Sequence, residues 1–397
     1  MNERLARERE TLVRFVNECN RGALVSQTAS LPPAQLPVSG MPPLSPGLSV
    51  LRWVSRAATV AIGLLIVLQV LHSFGVTTLG FNSWRPVAGL LIAWFILFDV
   101  TVYLTRGEKG KQLVFILPAL QITLALVIFP TLFGFIVAFT EWDLGSAGGR
   151  RFNGLANFRA MAHDENFWNA LGNNFKYVFV AVPLQYLIAF AVALLLNQQI
   201  RAQKFFRVSF LLPFMISPVA VGWMIGRSIM DANRGVLPDL LDKVGIHGIS
   251  FFDQPSSAFL GIVSMDSWIN VPFMMVMLLA GLQALPHEIF EAASIDGASG
   301  IRRFFDMTFP LMLPVSLTAI VLRIIFEFKL VDVVRVVTNG GPGGATDTMS
   351  LYIYREGVES TNVGYATAMA MVFLIIVLIF VSAFLIILTR RVRDVVY

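Results

Sequence analysis

The chain has 397 residues, 56% hydrophobic and only 14% charged, with a formal net charge of +5. Soluble domains carry roughly a quarter charged residues, so this composition excludes an ordinary soluble enzyme or binding module. One cysteine excludes an internal disulfide framework, and four scattered histidines give no Cys/His metal cluster. The basic residues gather at the ends of apolar runs, which points to membrane topology and not to nucleic acid.

Residues 1–50 form a tail without the short basic region and immediate apolar core of a cleavable signal. A charged, helix-compatible stretch (2–20) leads into "SLPPAQLPVSGMPPLSPG", a proline-rich linker. Cys19 lies in this tail and reads as an ordinary cytoplasmic thiol. Because roughly 20 apolar residues cross a bilayer as a helix, the sequence predicts eight spans. They fall near 57–77, 86–105, 112–139, 174–197, 207–227, 257–281, 309–330 and 366–389. Pro213, Pro218 and Pro272 lie inside the fifth and sixth and predict kinks there.

More than half of the 30 basic residues fall on one side of these spans. They include Arg52, Arg56, Arg106, Lys109 and Lys111, then Arg201, Lys204, Arg207, Arg302, Arg303, Arg390, Arg391 and Arg393. The bias predicts that both termini are cytoplasmic. It also places "EAASIDGASGIRRFFDMTFPLMLP" (Glu291–Pro314) in the cytoplasm.

That stretch reads as a helix–turn–helix. Pro286 suits a helix start, Gly297 a left-handed helix end, and Ser299 the cap of a second short helix holding Ile301, Phe304 and Phe305. Pro310 and Pro314 fall where the chain would turn back into the membrane. Glu291 and Asp296 face water or a partner. Ala292, Ala293, Gly297 and Ala298 leave little bulk, so another surface can approach closely. On these grounds alone a plain amphipathic surface helix accounts for the segment equally well.

The same residues are similar to the EAA motif of permease subunits of binding-protein-dependent ABC importers. The carbohydrate form of that motif, EAAxxDGAxxxxxFxxxTxPxxxP, is met throughout, from Glu291-Ala292-Ala293 through Asp296, Gly297, Ala298 and Phe304 to Pro310. Phe309 stands where leucine is more usual. "GLANFRAM" (Gly154–Met161) and "LVDVVRVVTNGGPGGATDTMSLYIYREGV" resemble further phrases of the carbohydrate branch, and the likeness covers roughly residues 112–397. It implies an all-α membrane protein with a type I importer core (107–397), preceded by two additional helices (51–106). The eight-span maltose permease subunit is similar, but its large periplasmic insertion is missing here. The resemblance further implies an inner-membrane location and a coupling element at 286–314 that seats in an ATPase. It implies a second permease, two ATPase subunits that consume ATP and Mg, an extracytoplasmic solute-binding protein and, as cargo, a di- or oligosaccharide or a related polyol or sugar phosphate.

Polar residues inside spans six and seven are the candidates for the substrate path: Ser264, Asp266, Trp268, Asn270, Arg323, Glu327, Lys329 and Asp332. Charges in mid-membrane cost about 2.5–3.5 kcal/mol each, so they face the bundle interior or pair. Arg323 and Glu327 are one helical turn apart and could simply pair with each other. Trp223, Phe273 and Phe326 are candidates to stack on a sugar ring. "TNGGPGGATDT" lacks the Gly-Lys-Ser/Thr ending of a phosphate loop, and a surface for a soluble binding protein fits it better. His287-Glu288 lacks the second histidine of a zinc protease motif, so neither a metal nor an enzymatic site is expected. An ion-coupled carrier would show an internal repeat, and none is evident.

Overall fold

The computed structural model describes residues 46–73, 77–145, 149–198 and 201–396, with side chains to 390. Cys19 and the tail before Pro46 lie outside the described residues, as do the side chains of Arg391 and Arg393. Two compact units divide at Ile122/Thr123.

The first unit holds α1 (Pro46–Ser73), α2 (Arg85–Thr105) and most of α3 (Gly107–Thr123). α1 begins at Pro46, well before the predicted 57, because proline is tolerated at a helix start and Leu51–Arg56 continues the helix below the apolar run. Few hydrophobic contacts are buried here, so polar bonds set the register. Gln69 donates to Phe81 O at 2.8 Å and accepts from Phe81 N at 2.9 Å. Trp94 bonds Thr59 at 3.0 Å, and Gln121 bonds Asp99 at 2.7 Å.

The second unit continues that third span through α4 (Phe129–Val137), then a two-strand hairpin pairing Thr140 with Phe152. After α5 (Ala156–Ala162), α6 (Glu165–Asn197) starts earlier than predicted because Asp164 caps it, accepting from Asn166 N and Phe167 N. Next come α7 (Gln203–Leu211), α8 (Pro218–Val221), α9 (Val236–Lys243) and α10 (Pro255–Gln283). The fifth span is more than kinked: its limbs Gln203–Met215 and Pro218–Ile229 meet at 92°. Ile216 and Ser217 are extended between them. Proline forces the residue before it out of the helical region, and this is what Pro218 does to Ser217. Pro272, by contrast, sits inside an unbroken α10.

The chain then forms α11 (His287–Ile295), α12 (Gly300–Arg303), α13 (Phe309–Glu327), α14 (Asp332–Val337), α15 (Met349–Tyr354) and α16 (Val363–Val396). Among the described residues seven helices are long and apolar enough to span a membrane, or eight if the bent pair counts as one. α6, α10 and α13 pack together. Phe190, Met274, Leu278 and Met312 build one apolar cluster between them, and Tyr177, Ile262, Met265 and Val334 help build a second. Gln185 on α6 and Arg323 and Glu327 on α13 are buried polar residues that fall, along the chain, between positions belonging to the two clusters.

Candidate functional site

Three features of the second unit bear on function. The first is a charge cluster at the meeting of α6, α10 and α13. Arg323 donates through Nη2 to both Asp266 and Glu327, and through Nε to Gln185. Gln185 Nε2 donates to Asp266 at 2.7 Å and to Ser267 at 3.3 Å. Asn270 donates to Asp266, both to its carbonyl and to its carboxylate, at 2.9 Å. Arg323, Asp266, Glu327 and Gln185 are all at most 4% exposed. The Arg323–Glu327 pair expected from the one-turn spacing is present, and Asp266 joins it from another helix. Burying these ions is costly, and they persist because each is met by an opposite charge or a hydrogen bond.

The other candidates lie elsewhere. Ser264 and Trp268 point away from the cluster into an open cavity of about 760 Å³, which Ser209, Ser267, Phe206 and Phe210 also line. Lys329 and Asp332 are exposed beyond the end of α13. Trp223 is exposed on the second limb of the bent span, whose Gly222 and Gly226 pack on Val336 and Val337. Phe273 stacks on Phe214 and meets Phe326 edge-on, so two of the proposed ring-stackers are already engaged with each other.

The second feature is the glycine-rich loop, which is strapped to α6. Asn169 and Asn173 both donate to Gly344 O, at 2.7 and 2.9 Å. Asn174 accepts from Met349 N at 2.7 Å and donates to Phe328 O at 3.3 Å. Thr346, Asp347 and Thr348 are buried, and Arg355 pairs with Asp347. Burial pushes the Asp347 carboxyl up, and the Arg355 charge only partly offsets it. Much of this loop is therefore inside the fold and not a free surface.

The third feature is the segment from α11 into α13. Pro286 precedes α11, Gly297 ends it with φ of +71°, and Ser299 caps α12 through Arg302 N. The helix that follows is not short. α12 runs through a π turn (Phe304–Thr308) straight into α13, so the chain enters the membrane without turning at Pro310 or Pro314. Pro310 is tolerated because it lies in the first turn of α13, where the π turn already interrupts the hydrogen-bond ladder. Glu291, Ala292, Asp296 and Gly297 are exposed, and Ala298 is half-buried. Ala293 is buried in the fold, and Phe304 packs on Phe190 at 5.6 Å, so these two hold the element in place. Ile295, Ile301 and Phe305 are exposed beside them at 87%, 76% and 63%.

Gln185 and Asn174 were missed in the sequence. The available signal was an amide inside an apolar run, where a lone polar side chain needs a partner.

Comparison with known proteins places this arrangement. Residues 160–394 match the family of the binding-protein-dependent transport system inner membrane component, and the chain belongs to that family. The sulfoquinovosyl glycerol transport system permease protein SmoG of Agrobacterium fabrum is 32% identical, over 68% of this chain and 88% of its own. The trehalose/maltose transport system permease protein MalF of Thermococcus litoralis is also 32% identical, over 72% and 96%. The solved structure of a bacterial alginate ABC transporter, in complex with its alginate pentasaccharide-bound periplasmic protein, shares the fold. Its TM-score is 0.61 at 20% identity, covering 71% of this chain and 96% of that one. This chain is thus a multi-pass inner-membrane permease subunit of an ABC importer.

Proposed function

We propose that the chain carries a carbohydrate or related polyol inward by alternating access, as half of a pathway completed by a second permease. Its named relatives serve sulfoquinovosyl glycerol, trehalose/maltose and sn-glycerol-3-phosphate transport. Two cytoplasmic ATPases supply the energy, using ATP and Mg, and an extracytoplasmic binding protein delivers the solute. Both termini are cytoplasmic.

The observation that carries the reading is the α11–α12 surface. It sets the exposed Glu291 and Asp296 among Ile295, Ile301 and Phe305, whose side chains are largely exposed. An exposed apolar patch rimmed by charge is what a protein partner covers. The substrate path runs by Ser264 and Trp268 on the open side of α10. Asp266, Asn270, Arg323 and Glu327 shape it from behind, with Lys329, Asp332 and Trp223 nearer its outer end.

The test is co-purification of the chain with its operon partners, wild type against Glu291→Lys and Ile295→Asp. Loss of the ATPase subunits with unchanged membrane insertion supports the docking surface. Full retention and normal transport by both variants would sink it.

A further inference from the structure

Resting on that reading, we infer that the chain passes an uncharged carbohydrate and disfavours phosphorylated, sulfonated or carboxylated ones. The argument is the distribution of charge around the cavity of about 760 Å³ between α6, α7 and α10. Its polar groups are the hydroxyls of Ser209, Ser264 and Ser267 and the indole of Trp268, set in a mostly apolar wall that includes Leu184, Ile188, Val192, Phe206, Phe210 and Val271. Hydroxyls and aromatic faces suit the mixed surface of a neutral sugar.

Among the described residues lining this cavity none is charged. Across α10 from the cavity stands Arg323, and it is spent. Its Nη2 serves Asp266 and Glu327, its Nε serves Gln185, and the side chain is 2% exposed. Two carboxyl groups face this one guanidinium, so the cluster behind the cavity offers no spare positive charge. Ser267 ties the two, lining the cavity while accepting from Gln185 at 3.3 Å. Lys204 and Arg207 lie on α7 with Phe206 and Ser209, yet neither lines the cavity. An anion settling against this mostly apolar wall meets no lining cation, and an unpaired charge set against apolar surface is disfavoured.

The assembled transporter tests this directly: Cys19→Ser leaves this chain without a cysteine, and labelling of that assembly gives the background rate to subtract. Single Ser264→Cys and Ser209→Cys variants are reacted with methanethiosulfonates bearing a sulfonate, a trimethylammonium or no charge. Rates are normalised to Ser256→Cys at the exposed start of α10. The expected result is that the sulfonate reagent lags the neutral one at least tenfold at both cavity positions. Adding Trp268→Lys, one turn from Ser264, recovers most of that lag. Equal normalised rates, or a faster sulfonate, overturn the inference. Failure of every reagent to react also overturns it, since the cavity is then not a watered path. ATPase capture through Glu291 and Ile295 is read separately, so loss of the importer reading and loss of this inference are distinguishable.

Discussion

Gln185 on α6 donates to Asp266 on α10 across 2.7 Å, with both side chains buried. This bond joins two helices at the level where Arg323 enters from a third, so the three helices share one polar knot. Breaking it from different sides has different costs. Arg323→Ala leaves two carboxyl groups without their cation and is expected to cost about 3–5 kcal/mol. Gln185→Leu removes one amide and should cost roughly 1–3 kcal/mol. Replacing Asp266, Arg323 and Glu327 together by Asn, Met and Gln should recover much of the Arg323→Ala loss. Thermal unfolding of the detergent-solubilised subunit ranks the three. Equal stability of wild type and Arg323→Ala would show that the cluster does not hold the bundle.

The second limb of the bent span depends on close approach. A Cβ on Gly226 would stand 2.5 Å from a Val337 methyl, and one on Gly222 would stand 3.0 Å from Val336. Gly226→Leu is therefore expected to destabilise by about 1–3 kcal/mol through overpacking. Gly63 in α1 has nothing within 4 Å, so Gly63→Ala should be neutral or stabilise by up to about 1 kcal/mol. Melting temperatures of the two variants check the contrast, and a harmless Gly226→Leu would mean the limb is free of α14.

What could be read in advance divides along physical lines. Hydropathy placed the spans, since a 20-residue apolar run is a local property. Gly297 and Ser299 were legible for the same reason: a left-handed helix end and a cap are decided by neighbours in sequence. Arg323 and Glu327 could be paired by helical spacing alone. Gln185 could not be assigned to Asp266, because that requires the relative register of α6 and α10. The 92° break exceeded the expected kink because two prolines act on the same short stretch, Pro213 on one limb and Pro218 on the other. The direct run of α12 into α13 was missed because proline reads as a stop, whereas Pro310 follows a π turn that already interrupts the hydrogen-bond ladder.

Gly297 separates the shape of the docking element from its chemistry. Its φ of +71° is strained for a side chain, though space around it is open. Gly297→Asn should be well tolerated, since asparagine visits this region readily. Gly297→Val should cost about 1–2 kcal/mol locally and tilt α11 against α12. If the turn angle aligns Glu291 with Ile301 for the ATPase, Asn retains captured ATPase and Val loses it. Identical capture by both would show that the angle is immaterial.

Asp164 gives the N-terminal end of α6 a defined pH response. Burial would raise its carboxyl, but it accepts from the hydroxyls of Tyr352, at 2.6 Å, and Tyr365, and from Asn166 N and Phe167 N. Together these hold it below the usual carboxylate range. A carboxyl with a depressed folded value stabilises the fold above its unfolded value of about 3.9. That contribution is lost as pH falls through the lower folded value. Asp164→Asn should therefore melt earlier than wild type at pH 7 and at pH 5, because the neutral amide caps α6 without the charge. The gap should close as pH drops from about 4 toward 3, where wild type itself becomes protonated. Melting curves of both proteins across that range decide it, and a gap that stays constant below pH 4 would mean the ionised carboxylate is not what ties α6, α15 and α16 together.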